Sequence, residues 1–212
     1  MKPRTALIPL QRWMLGRIRK ASQEVAAASA VQERERLRVL TTLTLDLHNS
    51  VSTFLRSYYL SSACGAALQG GGNVATTVPL NGYLDALALA IQFTHPRTKA
   101  KPPFSHWLEP TWYDTTIFLR LLQRAGCSNL GGCQAAWSIG SKALPELTTV
   151  RNFFAHRGEV SAIKTRRLGA RYGYPSAGNP AELLVHRAPK RPQTVLEDWI
   201  DDLEVIVSLM PA

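Results

Sequence analysis

Apolar residues recur along this chain at steps of three and four, and nowhere alternate with polar ones long enough to claim a strand. From Val31 to about Leu68, the positions Leu37, Leu40, Leu43, Leu47, Val51, Phe54, Leu55 and Tyr58 make one face of a long helix, broken near Gly65 or Gly70. A second helix is expected around Gly82–Phe93, stopped by His95-Pro96. Asp114 looks like the cap of a helix running through Ile117, Phe118, Leu121 and Leu122 to Gly126, and Ser128 or Asn129 can cap the next, to near Gly140. Pro145 suits a first turn and Gly158 a C-terminal cap, so Pro145–Arg157 reads as a helix. Thr194-Val-Leu-Glu197 is a capping box opening a C-terminal helix over 194–210, with Leu196, Trp199, Leu203, Ile206 and Met210 on one face. Between elements, residues 96–110 hold four prolines and read as a surface loop. Residues 159–192, Gly/Pro/Arg-rich from Gly169 onward, read as an irregular basic arm. The class is all-α, with one domain expected over 1–212.

Composition narrows the function classes. Apolar residues make up 45% of the 212 and charged residues 19%, which suits neither a disordered nor a fibrous chain. The longest apolar stretch, Tyr83 to Phe93, contains Asp85 and is too short to span a bilayer, so no membrane partner is expected. Cys64, Cys127 and Cys133 form no C-x-x-C pair, which argues against a disulfide framework or zinc site and for a reducing cytoplasm. They read as small buried hydrophobes, and Trp107, Trp112, Trp137 and Trp199 as core anchors. No His/Glu metal motif, Gly-rich phosphate loop or carboxylate cluster is present, so neither metal nor cofactor is predicted.

The net charge of +10 makes a polyanion, nucleic acid first, the natural partner. Its distribution matters more than its sum. Residues 1–23 carry six bases and no acid, residues 151–191 nine bases against Glu159 and Glu182, and residues 192–212 five acids and no base. The first block resembles a transit sequence in composition. Leu10, Trp13, Met14, Arg17 and Ile18 instead favour an amphipathic basic helix within 1–23.

One segment carries chemistry. On a wheel with Leu147 at 0°, Val150 and Phe154 continue the core stripe of the 145–157 helix and Arg151 sits at its edge, about 40° round. Asn152 and His156 lie one turn apart, away from that stripe. Phe153 falls outside it too, which argues for a partner helix or a dimer. Arginine followed by histidine five positions on is expected by chance about 0.4 times in a chain with these counts; requiring asparagine after the arginine leaves about 0.01.

The string Arg151-Asn152-Phe153-Phe154-Ala155-His156 resembles the R-N-x-x-x-H signature of the HEPN superfamily of small helical proteins. Phe54-Leu-Arg-Ser-Tyr-Tyr-Leu-Ser61, the Trp107-to-Trp112 turn and the AHRG ending are similar to larger bacterial members. The resemblance implies a HEPN-like helical bundle with additional helices, a homodimer pairing two motif helices, and metal-independent endoribonuclease activity in a toxin–antitoxin or phage-defence role. It also implies an antitoxin or other defence-system protein as a possible partner. His156 would be the general acid/base, Arg151 would stabilise charge on the phosphate, and Asn152 would position the phosphate or the imidazole. Arg157, Lys164, Arg166, Arg167 and Arg171 would bind the RNA backbone, with Tyr172 and Tyr174 available to stack on bases. A HEPN subgroup carries a tyrosine two residues after the histidine, where AMP is attached. Gly158 stands there, so that modification is not expected at this position. The alternative is a catalytically silent HEPN-like subunit that binds nucleotide or RNA, or acts as a scaffold.

Overall fold

The computed structural model describes residues 5–98, 102–175 and 179–212. Lys2, Arg4, Lys99 and Lys101 of the basic segments lie outside them. Among the described residues the protein is all-α, with α1 (Ile8–Ala28), α2 (Glu33–Ala63), α3 (Tyr83–Thr94), α4 (Thr115–Ala125), α5 (Leu130–Trp137), α6 (Ala143–His156), α7 (Glu159–Arg171) and α8 (Val195–Leu209). Single turns of 3-10 helix cover His106–Leu108, and a longer one Pro180–Val185. No strand is found among the described residues, only two isolated bridges at Ala67. None of these helices is long and apolar enough to cross a membrane.

The chain gathers into two compact units, each discontinuous in sequence. The first comprises residues 1–14, 51–139 and 206–212. It buries Leu10, Phe54, Tyr58, Tyr59, Ile91, Phe118, Leu121 and Ile206, the apolar positions whose three-and-four spacing predicts these helices. Its ends are tied by hydrogen bonds: Ala67 N donates to Thr5 O at 2.8 Å, and the Gln11 side-chain Nε2 donates to Val207 O at 2.8 Å. Asp114 caps α4 as expected, its Oδ1 accepting from the amides of Thr116 and Ile117 at 2.9 and 3.1 Å. Gly126 ends that helix at φ 67°, and a β-carbon there would lie 1.9 Å from Thr77 Oγ1, so both backbone and space demand glycine.

Two expectations for this unit need correction. Trp107 is no core anchor: it is 81% exposed, carried on the 3-10 turn of a proline-rich stretch and stacked on His106 at 4.4 Å. The adjoining turn is fixed by a different group, Glu109, which accepts from Arg56 Nη2 and Trp112 Nε1, both at 2.8 Å. Cys64, just past the end of α2, is exposed rather than buried.

The second unit comprises residues 15–50 and 140–205. Its core is built from Leu43 and Leu47 of α2, Leu144, Leu147 and Val150 of α6, Leu168 of α7, Leu183, Leu184, and Trp199 and Leu203 of α8. Truncating any one of these leucines to alanine costs about 2–5 kcal/mol. The Thr194–Glu197 capping box forms: Thr194 N donates to Glu197 Oε2 at 2.7 Å, and Glu197 N donates back to Thr194 Oγ1 at 3.3 Å.

The irregular arm expected over 159–192 is overturned in its first part, where α7 forms a full helix. Thr165, Leu168 and Gly169 make its buried face. Gly169, where the Gly/Pro/Arg-rich stretch begins, is a contact point: Tyr174 packs on it, 3.3 Å from where a β-carbon would stand. The cap register of α6 also moves. Arg157, at φ 45°, is the left-handed residue that ends the helix, and Gly158, at φ −84°, leads into α7.

Candidate functional site

Helix α6 carries the candidate residues, and its packing decides where each can act. A buried acid holds it in place. Glu146, 4% exposed, accepts from Trp199 Nε1 at 2.9 Å and from the Tyr172 hydroxyl, and pairs with Arg171 Nη2 at 3.2 Å. Three donors satisfy a carboxylate that would otherwise be costly to bury. Burial and the Glu146 hydrogen bond push the Tyr172 phenol up to about 12.

Asn152 and His156 line one groove, as their one-turn spacing predicts. Its volume is about 400 Å³, and Thr148, Thr149, Gly158, Val160, Ser161 and Lys164 complete its wall. Thr148 and Thr149 donate their hydroxyls to helix carbonyls at 2.8 and 3.0 Å. His156 is exposed at the C-terminal end of α6, so its imidazole is open to a ligand in the groove.

Arg151 does not line that groove. It is half-buried, its Nη1 donates to Asn152 Oδ1 at 3.2 Å, and its Nε is buried without a hydrogen-bond partner among the described residues. The guanidinium stands near the ring of His48 on α2. Burial first, and then that positive charge, hold the His48 imidazole down at about 4. His48 itself is 2% exposed, in keeping with a structural histidine. Asn152 is therefore the link between Arg151 and the groove.

The basic residues divide among three environments. Lys164 lies in the groove with His156. Val160, Lys164, Arg167 and Arg171 follow one another at steps of four, three and four, forming one stripe of α7. Arg171 is engaged by Glu146, whereas Lys164 and Arg167 make no ion pair among the described residues. Arg166 is exposed about 120° round the helix from Val160, off the stripe. Arg157 lines a different groove, of about 440 Å³, on the other flank of α6, with Phe153, Phe154, Asn179 and Ala181, and with Leu37, Arg38, Thr41 and Thr42 of α2. Phe153 thus lines a groove of its own unit and stays half-buried there. Tyr174 is half-buried, its hydroxyl donating to Glu182 Oε2 at 2.8 Å and to Asn179 O at 3.1 Å.

Sequence reasoning missed both Glu146 and Arg38. Glu146 carries no signal beyond an acid in a helix's first turn, and Arg38 is one of several charges on the exposed side of α2. Among the described residues no group of three or more His, Cys, Asp or Glu side chains is placed to hold a metal ion. No family model, curated protein or solved structure matches the chain.

Proposed function

We propose that the protein is a metal-independent endoribonuclease of HEPN type, acting through His156 at the C-terminal end of α6. The observation that carries the reading is the R-N-x-x-x-H string on one helix, with Asn152 and His156 opening into a groove that also holds Lys164. The net charge of +10 and the basic stripe of α7 suit an RNA backbone.

The chemistry these groups can perform is transesterification. The ribose 2′-oxygen attacks the adjacent phosphorus, its proton passing to a base, while the bond to the 5′-oxygen breaks and that oxygen takes up a proton. The products are a 2′,3′-cyclic phosphate and a 5′-hydroxyl. An imidazole exchanges protons with either oxygen near neutral pH, contributing about 10²–10⁴-fold. A guanidinium reaching the phosphate, directly or through Asn152, stabilises the charge that builds there. The reading carries with it a homodimer that pairs two α6 helices, and a toxin or anti-phage role with an antitoxin or other defence protein as partner.

One observation favours a second reading. Arg151 is half-buried and does not line the groove, and its charge acts on His48 of α2, the arrangement a catalytically silent HEPN-like binding or scaffolding subunit would keep. Digestion of RNA in EDTA by the parent, His156→Ala and Arg151→Ala separates the two. Cleavage by the parent alone, leaving cyclic-phosphate ends, is expected. Equal cleavage by His156→Ala would defeat the assignment, and no cleavage by the folded, dimeric parent would leave the silent subunit.

A further inference from the structure

The second groove, on the flank of α6 opposite His156, has the lining of a nucleotide site. Phe153 and Phe154 form its aromatic floor, with ring centroids 5.7 Å apart and planes at 57°. Both are only half-buried, so ring surface remains open to the groove. Arg38 from α2 and Arg157, the C-cap of α6, also line it, and neither makes an ion pair among the described residues. Two aromatic rings and two guanidiniums without ion pairs along one groove match a flat base joined to a phosphate, and a groove of about 440 Å³ is ample for one nucleotide.

A second observation comes from the backbone. Arg157 holds the left-handed conformation at φ 45°, while the adjacent Gly158 sits at φ −84°, which any residue adopts. Glycine is the ordinary occupant of a left-handed helix end, and an arginine there is strained. Strain of this kind concentrates where a side chain is needed for function. The position sends Arg157 into the aromatic groove.

We infer that this groove binds one unpaired nucleotide of an RNA strand, its base against Phe153 and Phe154 and its phosphate between Arg38 and Arg157. The inference rests on the reading of the protein as acting on RNA, and it narrows the substrate to single-stranded or looped RNA, since a paired base cannot enter such a groove.

The test is fluorescence anisotropy with the full chain in EDTA, using a short single-stranded oligonucleotide with 2′-deoxy sugars that cannot be cleaved, its duplex, and the same strand without bases. Parent, Phe153→Ala, Arg157→Gly and His156→Ala are compared, with thermal melts of each. Arg157→Gly relieves the backbone, so its melting temperature should equal or exceed the parent's while its single-strand affinity falls about ten-fold. Phe153→Ala should reduce discrimination between the strand with bases and the strand without. Tight binding by the parent of the strand lacking bases would overturn the inference, as would unchanged single-strand affinity in Arg157→Gly. Preference for an acidic peptide over any oligonucleotide would make the groove a protein-docking site and equally overturn it. Cleavage is scored separately on ribo-oligonucleotides. Loss of base-dependent binding in Arg157→Gly without any cleavage by the parent would uphold the groove and sink the ribonuclease reading. His156-dependent cleavage with unaltered binding in Arg157→Gly would do the reverse.

Discussion

The guanidinium of Arg151 on α6 stands close enough to the buried ring of His48 on α2 to oppose its protonation. Burial does most of this, the Arg151 charge adds to it, and the Asn49 side chain pulls weakly the other way, leaving the imidazole near 4. The pair keeps two cationic groups in one interior because only one of them is charged at neutral pH.

Stability should therefore fall in acid in a defined window. The folded pKa of His48, about 4, lies below the value near 6.5 of the unfolded chain, so between these limits the unfolded state binds more protons. The contribution is complete above about pH 6.5 and is lost as pH drops toward 4. By pH 4.5 this one group should remove about 2–3 kcal/mol, read from urea unfolding at a series of pH values. His48→Gln, neutral throughout, should flatten that part of the profile. An identical slope in the variant would show that other groups set the acid sensitivity.

Glu146 should prove the most sensitive polar position of the second unit. Glu146→Ala leaves Arg171 without its partner, and Tyr172 and Trp199 only each other, at 3.3 Å from indole nitrogen to hydroxyl. A loss of about 3 kcal/mol is expected in chemical denaturation. Glu146→Gln, which keeps an acceptor for Trp199 but not the charge for Arg171, should fall between the two. A Glu146→Ala protein within about 0.5 kcal/mol of the parent would contradict the role given to this carboxylate.

What the sequence disclosed and what it hid divide by distance along the chain. The Asp114 cap and the Thr194–Glu197 box are local exchanges within three residues, and both form. The one-turn pairing of Asn152 and His156 is likewise a property of helix geometry. The Glu146 site joins residues 26 and 53 positions apart, which no spacing rule announces. Helix α7 lies inside the stretch read as an arm because its buried face is only Thr165, Leu168 and Gly169, and the packing of Tyr174 on Gly169 is not a local signal. Arg151 lies at the edge of the core stripe, and a wheel cannot choose between inward and outward for so long a side chain. The R-N-x-x-x-H string is legible in the sequence; the surroundings of its arginine are not.

The basic stripe of α7 should separate into binding and structural charges. Lys164 lies in the His156 groove free of ion pairs among the described residues, whereas Arg171 is held by the buried Glu146. A lysine that neutralises one phosphate of a single strand releases about 0.7 counterion. Lys164→Gln should therefore weaken RNA binding and lower the slope of log Kd against log salt by about that amount, with little change in melting temperature. Arg171→Gln should do the opposite, lowering the melting temperature through Glu146 and leaving the salt slope intact. Anisotropy titrations over a range of salt, paired with thermal melts, measure both quantities. If the two variants exchange these signatures, the charge of Arg171 serves RNA and that of Lys164 does not, and the assignment of the His156 groove to the RNA backbone fails with it.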